Sequence, residues 1–307
     1  MHISSKLGLR FAAVLAVSAL ALTGCNNAEE GTTTGSGGAT FDPSTVKADD
    51  ALIALLPAAL KDKSTLNVGS DTSYEPAEFL ATDGQTPIGY DVDIAKAIGA
   101  VLGKDVKVQT SEFSTILPSL GSKYDLGISS FTITPERSKA VNFVSYFNAG
   151  VWWAVQKGNP KNINLDDICG KKIGVQTGTV EEDPDVKDRS AKCVADGKPA
   201  IEIISLKNQT DVTTRLVSGS IDAMSADSPI IKNALQKTGD SLETLGDVYD
   251  SAEQGIAIAK DDTAFAEVIE KVMNKLMEDG TYNQILKDWN NNEGAISKAV
   301  LNPVTSN

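Results

Sequence analysis

The stretch Ser129, Ser130, Phe131, Thr132, Ile133, Thr134, Pro135, Glu136 and Arg137 groups hydroxyls, an acid and a cation between a strand end and a helix start. Thr134 is a suitable N-cap and Pro135 suits the first helical position, which puts Arg137 in the first turn. A cation there gains nothing from the helix dipole, which favours anions at that end. An anion lying between the arginine and the helix amides makes sense of the placement, because a guanidinium clasps a carboxylate with two bonds. A solvated arginine on a surface turn is the competing explanation. On the first reading, the chemistry indicated is binding of a small anion.

The amino terminus limits the mechanisms further. Lys6 and Arg10 precede a largely apolar run, Phe11 to Leu22, and Leu22, Thr23, Gly24 and Cys25 resemble the end of a bacterial lipoprotein signal. The expected signal peptide is 1–24, with Cys25 the acylated first residue of the mature chain. The apolar run is shorter than the about 20 residues needed to span a bilayer. The cut also removes His2, the only histidine, so a Ser/His/Asp triad is excluded from the mature chain.

Removing Lys6 and Arg10 makes a net charge of −13 more negative by two. Such a chain lacks the basic face that a nucleic-acid partner requires. Cys169 and Cys193 are the two other cysteines, and an exported context favours a bridge between them. With no mature histidine and those cysteines joined, a metal site is not expected, nor is a cofactor.

The positioning elements follow from periodicity. Residues 25–48 are rich in Gly, Thr and Ser and read as a flexible tether with a typical reach of about 25 Å. Asp49 to Leu60 has helical spacing, and Thr65 to Gly69 reads as a first strand. Strand Val106 to Thr110, a short helix around Ile116 to Leu120 and strand Leu126 to Ser129 follow, with Ile94, Ala97, Ile98, Val101 and Leu102 forming one helical stripe between the first two strands. Val151 to Lys157 reads as a crossing strand, after which alternation restarts with Lys172 to Gln176, a helix after Thr179, Ile201 to Leu206, Gln209 to Val217 and Ile221 to Ser225. Gly255 to Ala259 is a second extended run, followed by an amphipathic helix stopped by Gly280 and a last helix carrying Trp289. The expected class is α/β, two doubly wound lobes joined by a two-strand hinge, with lobe 1 at 49–150 and 255–307 and lobe 2 at 151–254. A ligand would sit between the lobes.

An ordered set of motifs from Leu66 to Trp289 resembles the extracellular solute-binding proteins of amino-acid importers, family 3. Gly69 to Pro76 looks like the family's first strand and loop, followed by Gly89, Tyr90, Asp91, Val92 and Asp93. Phe113 matches an aromatic cleft position, Gly178 with Thr179 the second lobe's anion loop, and Asp227 before Ser228 and Pro229 the acid after that lobe's last strand. The resemblance implies a type II periplasmic-binding-protein-like fold. It also implies a two-ended grip on a free amino acid, with Arg137 on the α-carboxylate and Asp227 on the α-ammonium. Ser129, Ser130 and Thr132 would line the same cleft, with hydroxyls of the latter two adding hydrogen bonds. Amides around Thr179 and Val180 would reach the carboxylate from the other lobe.

Asp71, Tyr74 and Phe113 would face the ligand's side chain, with Gln176 and Glu181 as possible contributors. No second cation stands at the matched positions, so a polar or basic amino acid such as glutamine, arginine or lysine is expected rather than glutamate. Without the resemblance, Asp227 reads as a cap on the next helix, and Tyr74 and Phe113 as core aromatics. Trp152 and Trp153 read as packing residues. The implied partners are a free amino acid, a membrane permease and, through Cys25, the outer face of the cell membrane, with the chain a monomer. The alternatives are an arogenate or prephenate (cyclohexadienyl) dehydratase using Glu181 or Glu182 for proton transfer, and a receptor's sensor domain.

Overall fold

A computed structural model describes residues 41–304. The expected signal 1–24, Cys25 and the tether up to residue 40 lie outside the described residues. The end of that tether differs from expectation. Residues Pro43–Thr45 form a single helical turn capped by Asp42, and Phe41 and Val46 pack against the core. Two apolar side chains give this end something to bury, which the Gly- and Ser-rich stretch before it lacks.

Among the described residues, eight strands make one mixed sheet and three make a small one. In chain order they are β1 (Thr65–Ser70), β2 (Ser73–Tyr74), β3 (Glu78–Leu80), β4 (Pro87–Ile88), β5 (Asp105–Thr110), β6 (Leu126–Gly127), β7 (Val141–Gln156), β8 (Lys172–Gln176), β9 (Glu202–Leu206), β10 (Ala223–Asp227) and β11 (Leu242–Ala259). The large sheet runs β5-β1-β6-β11-β7-β10-β8-β9, and β2-β3-β4 form the other. Pairs β1–β5, β1–β6, β8–β9 and β8–β10 are parallel, as the strand–helix alternation requires, whereas β6–β11, β11–β7 and β7–β10 are antiparallel. The long strands β7 and β11 serve both halves of the sheet. Val141 to Ser145 pair with Ala259 to Gly255, and Trp153 to Gln156 pair with Leu245 to Leu242, with register shifts between.

The helices are α1 (Asp50–Leu55), α2 (Ala58–Lys61), α3 (Tyr90–Val101), α4 (Phe113–Ile116), α5 (Pro135–Ala140), α6 (Lys187–Ala195), α7 (Gln209–Val217), α8 (Ser228–Thr238), α9 (Thr263–Glu278) and α10 (Thr281–Asp288). The α3 stripe is buried as its spacing dictates. Helix α9 starts where Asp262 accepts from the Phe265 amide at 3.2 Å, buries Phe265, Val268, Ile269, Val272, Met273, Leu276 and Met277, and ends before Gly280, whose φ of 87° a side chain would strain. Each such apolar side chain contributes about 1.5–3 kcal/mol when fully buried. The largest core cluster is continuous from α3 and α9 to α7 and α8.

The extended run expected at Gly255 to Ala259 is the end of an 18-residue strand. Its first part carries Glu243, Asp247, Asp250 and Glu253, so neither alternation nor an apolar run marks it. The expected crossing strand likewise begins earlier, at Val141. Strands β2 to β4 are too short to show a period. The ends of β1, β6, β8 and β10 are where the sheet delivers side chains to one place, the carboxyl edge at which open α/β sheets bind ligands.

Candidate functional site

Beyond β6 the chain turns sharply at Ser130, a buried non-glycine residue with φ of 50°. A left-handed backbone costs an L-residue on the order of 1 kcal/mol and needs support. Asp91, near the start of α3, supplies it by accepting from the Ser130 amide at 2.9 Å. Ile133 and Gly255 then exchange backbone bonds with Glu253 and Phe131, fixing the loop to β11. Thr134 caps α5 by accepting from the Arg137 amide at 3.1 Å, so the first-turn placement is observed. The guanidinium turns back over this loop. Its Nη1 donates to the Thr132 carbonyl at 2.8 Å, its Nη2 to the Gly178 carbonyl at 3.0 Å, and it lies 5.4 Å from the centre of the Phe113 ring.

Gly178 belongs to the loop after β8. Its φ is 85°, and a Cβ there would sit 3.1 Å from the Ser114 Cβ of the other half, so glycine permits both the turn and the approach. Thr179, Val180 and Glu181 follow, leading into a wide helical turn, Glu181–Val186, that continues as α6. Glu182 accepts from the Gly178 amide at 2.6 Å and braces the loop from outside.

Asp227 stands at the N-cap of α8, yet its side chain makes no capping bond. The helix-cap explanation of this residue is therefore excluded. The carboxylate points inward, where Oδ2 accepts from the Tyr74 hydroxyl at 2.9 Å and from Gln254 Nε2 at 3.0 Å. Burial, then the nearby charge of Glu181, raise its pKa well above the ordinary carboxylate value, against the pull of Tyr74, Arg137 and Gln254. Burial likewise raises Glu181, opposed by the Thr179 hydroxyl and Arg137. Burial lowers the Arg137 pKa, Glu181 and Asp227 oppose it, and the guanidinium stays charged at any physiological pH.

Tyr74, Phe113, Ser130, Thr132, Arg137, Thr179, Val180, Glu181 and Asp227 line one cavity. All are among the expected cleft residues, with Glu181 expected as a further contributor from the second half. The cavity is small, about 10 Å³, room for roughly one water. A wider cleft of about 820 Å³ adjoins it, sharing Thr132 and Val180. Only the smaller cavity has Arg137 and Asp227 converging on it, so it is the functional candidate. Bonds between protein groups cross the cleft around it: Tyr74 to Asp227, Arg137 to Gly178, and Gln176 Nε2 to Asp71 Oδ2 at 3.0 Å. A bound amino acid would have to displace or part some of these.

Three expected residues lie apart from the cavity. Asp71 accepts from the Ser73 amide and hydroxyl, the Phe113 amide and Gln176, so its oxygens are filled by its own loop, by the start of α4 and by the second half. Gln176 is its partner. Ser129 donates to Glu78 at 2.7 Å and accepts from the Asp71 amide, holding the loop instead of lining the space. Trp153 is buried and donates to the Tyr249 hydroxyl, and Trp152 donates to the Gly246 carbonyl, which makes both packing residues. Cys169 and Cys193 are joined by a disulfide. Sequence reasoning missed Gln254, which sits at a register shift in β11 where no periodicity signals it. It also missed the buried pair Glu78 and Asp91 beneath Ser129 and Ser130. Among the described residues no group of His, Cys, Asp and Glu is placed to hold a metal, and no helix is long and apolar enough to cross a membrane.

Known proteins resemble this chain over most of its length. The arginine-binding protein ArgT of Corynebacterium glutamicum is 34% identical over 250 residues, 81% of this chain and 82% of its own. An ancestral arginine-binding protein solved with arginine bound is 32% identical with a TM-score of 0.67, over 74% of this chain and 98% of that one. An ancestral amino-acid-binding protein described as a precursor of cyclohexadienyl dehydratase is 30% identical with a TM-score of 0.63, over 74% of this chain and 95% of its own. Residues 66–292 match the model of the bacterial extracellular solute-binding proteins, family 3, and the chain belongs to that family.

Proposed function

We propose that this protein binds a free L-amino acid with a polar or basic side chain between the two halves of its sheet and delivers it to the membrane permease of an ABC importer. The observation that carries the proposal is the convergence of Arg137 and Asp227 on one cavity from different elements. The solute's α-carboxylate replaces the Thr132 and Gly178 carbonyls as the partner of the guanidinium, with the Ser130 and Thr132 hydroxyls beside it and the amides of Thr179 and Val180 reaching it from the second half. Its α-ammonium takes Asp227, whose carboxylate is held in place by Tyr74 and Gln254. Only a zwitterion engages both ends, so contacts made in the closed form supply the differential affinity that shifts the halves together.

The halves are the lobes 49–150 with 255–307 and 151–254, and β7 and β11 are the hinge. The arginine-binding relatives support a basic solute. Cys25 carries the lipid anchor, which needs two or more chains for firm attachment. The chain acts as a monomer and performs no turnover. Titration calorimetry against the twenty amino acids tests the proposal, with glutamine, arginine or lysine expected to bind tightest; tightest binding of glutamate or aspartate would overturn it. Incubation with prephenate or arogenate is expected to leave both unchanged, and turnover would instead assign proton transfer to Glu181. Replacing Cys25 by alanine is expected to abolish lipid labelling.

A further inference from the structure

Glu181 is buried, lines the cavity, and its Oε1 has no hydrogen-bond partner. An unpaired carboxylate oxygen in such a place costs desolvation free energy that a ligand can recover. Counting charges shows what kind of ligand. The cavity carries one cation, Arg137, and two acids, Asp227 and Glu181. A zwitterion satisfies Arg137 and Asp227 and leaves one negative charge over, beside a carboxylate newly arrived on Arg137. Water is largely excluded, so that surplus is not screened away. Either the solute brings a second cation or Glu181 takes up a proton.

Asp71 is not free to meet a second cation, because four donors already fill its oxygens. The groups facing Glu181 are Arg137 from α5, Asp227 from the end of β10, Tyr74 from β2, and Thr179 and Asp185 on its own segment. Arg137 is the single cation among them, and the solute's carboxylate neutralises it.

We infer that Glu181 is the residue that selects a solute with a positively charged side chain, receiving that charge while Asp227 holds the α-ammonium. The inference rests on the amino-acid reading above and names the side-chain class within it. It also yields a readout that a merely structural glutamate would not give. A neutral amino acid binds only with Glu181 protonated, so its complex carries one proton more than that of a basic one.

Calorimetry on the intact protein with L-arginine and L-glutamine tests this. From about pH 5 to about pH 8 the glutamine affinity is expected to fall at least about tenfold relative to the arginine affinity. In Glu181→Gln this difference in slope disappears, and the arginine-to-glutamine preference drops at least about tenfold. The same pH slope for both ligands in the wild type, or an unchanged preference in the variant, would overturn the assignment. The wild-type pH profile needs no variant, so the test survives misfolding of Glu181→Gln. If the wild type binds arginine and glutamine but fails these comparisons, only the role of Glu181 falls; if it binds no amino acid, the amino-acid reading falls first.

Discussion

The Tyr74 hydroxyl donates to Asp227 Oδ2 at 2.9 Å, joining residues 153 positions apart and on opposite sides of the cleft. The same hydroxyl oxygen accepts from the Asp227 amide at 3.2 Å. Asp227 is thus both an acid of the cavity and, through Tyr74, a latch across the cleft. Tyr74→Phe is expected to remove the latch and keep the acid. Unfolding free energy should fall by about 1 kcal/mol, because Gln254 still donates to Asp227. Chemical denaturation would measure it, and a loss several times larger would show that the latch matters beyond one hydrogen bond.

Arg137→Ala is expected to weaken amino-acid binding roughly hundredfold, equivalent to about 2.7 kcal/mol, since a hydrogen-bonded charge contributes about 1.5–3 kcal/mol. Asp227→Asn should cost a similar factor by removing the ammonium's counter-charge. Calorimetry reads both, and undiminished affinity in either variant would refute the two-ended grip.

Glu78 and Asp91 form a buried carboxyl pair whose unpartnered oxygens, Glu78 Oε2 and Asp91 Oδ1, need a shared proton. Burial raises Glu78 well above its ordinary value and raises Asp91 to about 6. Groups with raised folded pKa values contribute full stability below their unfolded values, near pH 4, and lose it as pH rises through the folded ones. Tm should therefore decline between about pH 5 and about pH 8. Glu78→Gln, which can donate to Asp91 at any pH, should flatten that decline and raise Tm at the alkaline end. An unchanged pH profile in the variant would show that the pair does not share a proton.

Ser130→Gly should relieve the left-handed backbone and stabilise the fold by up to about 1 kcal/mol while weakening binding through the lost hydroxyl. Opposite movements of Tm and affinity are the signature; a fall in both would mean the serine side chain supports the loop more than its backbone strains it.

The Cys169–Cys193 bridge closes a loop of sequence separation 24. On the chain-entropy model its reduction should cost about 3.5 kcal/mol of stability. It packs in the cluster with Ile168 and Ile173, which shares no residue with the cavity lining, so amino-acid affinity measured on reduced but folded protein should not change.

Arg137 was legible because its signal is local: a threonine cap, a proline and a cation placed against a helix dipole within four residues. Asp227 was legible only through the ordered resemblance, since an acid before Ser228 and Pro229 caps helices as readily as it binds cations. The structure separates the two by pointing the side chain away from α8. Asp71 was expected to face the solute; an acid in a tight loop also suits local donors, and its oxygens accept from the Ser73 amide of its own loop and the Phe113 amide at the start of α4. Gln254 and the Glu78–Asp91 pair depend on contacts between distant segments, and nothing in their neighbours' spacing announces them. The strand β11 went half unseen because its charged first part has neither a period of two nor an apolar run.

Strands β7 and β11 lie side by side for most of their length, with slips in register near their middle. Two ribbons bonded abreast resist sliding and swivelling but flex across the pleat, most easily where the rungs are interrupted. The relative freedom of the two halves is thereby reduced to something like the cover of a book. A permease touching the outer corners would then need to sense a single angle to tell a loaded carrier from an unloaded one.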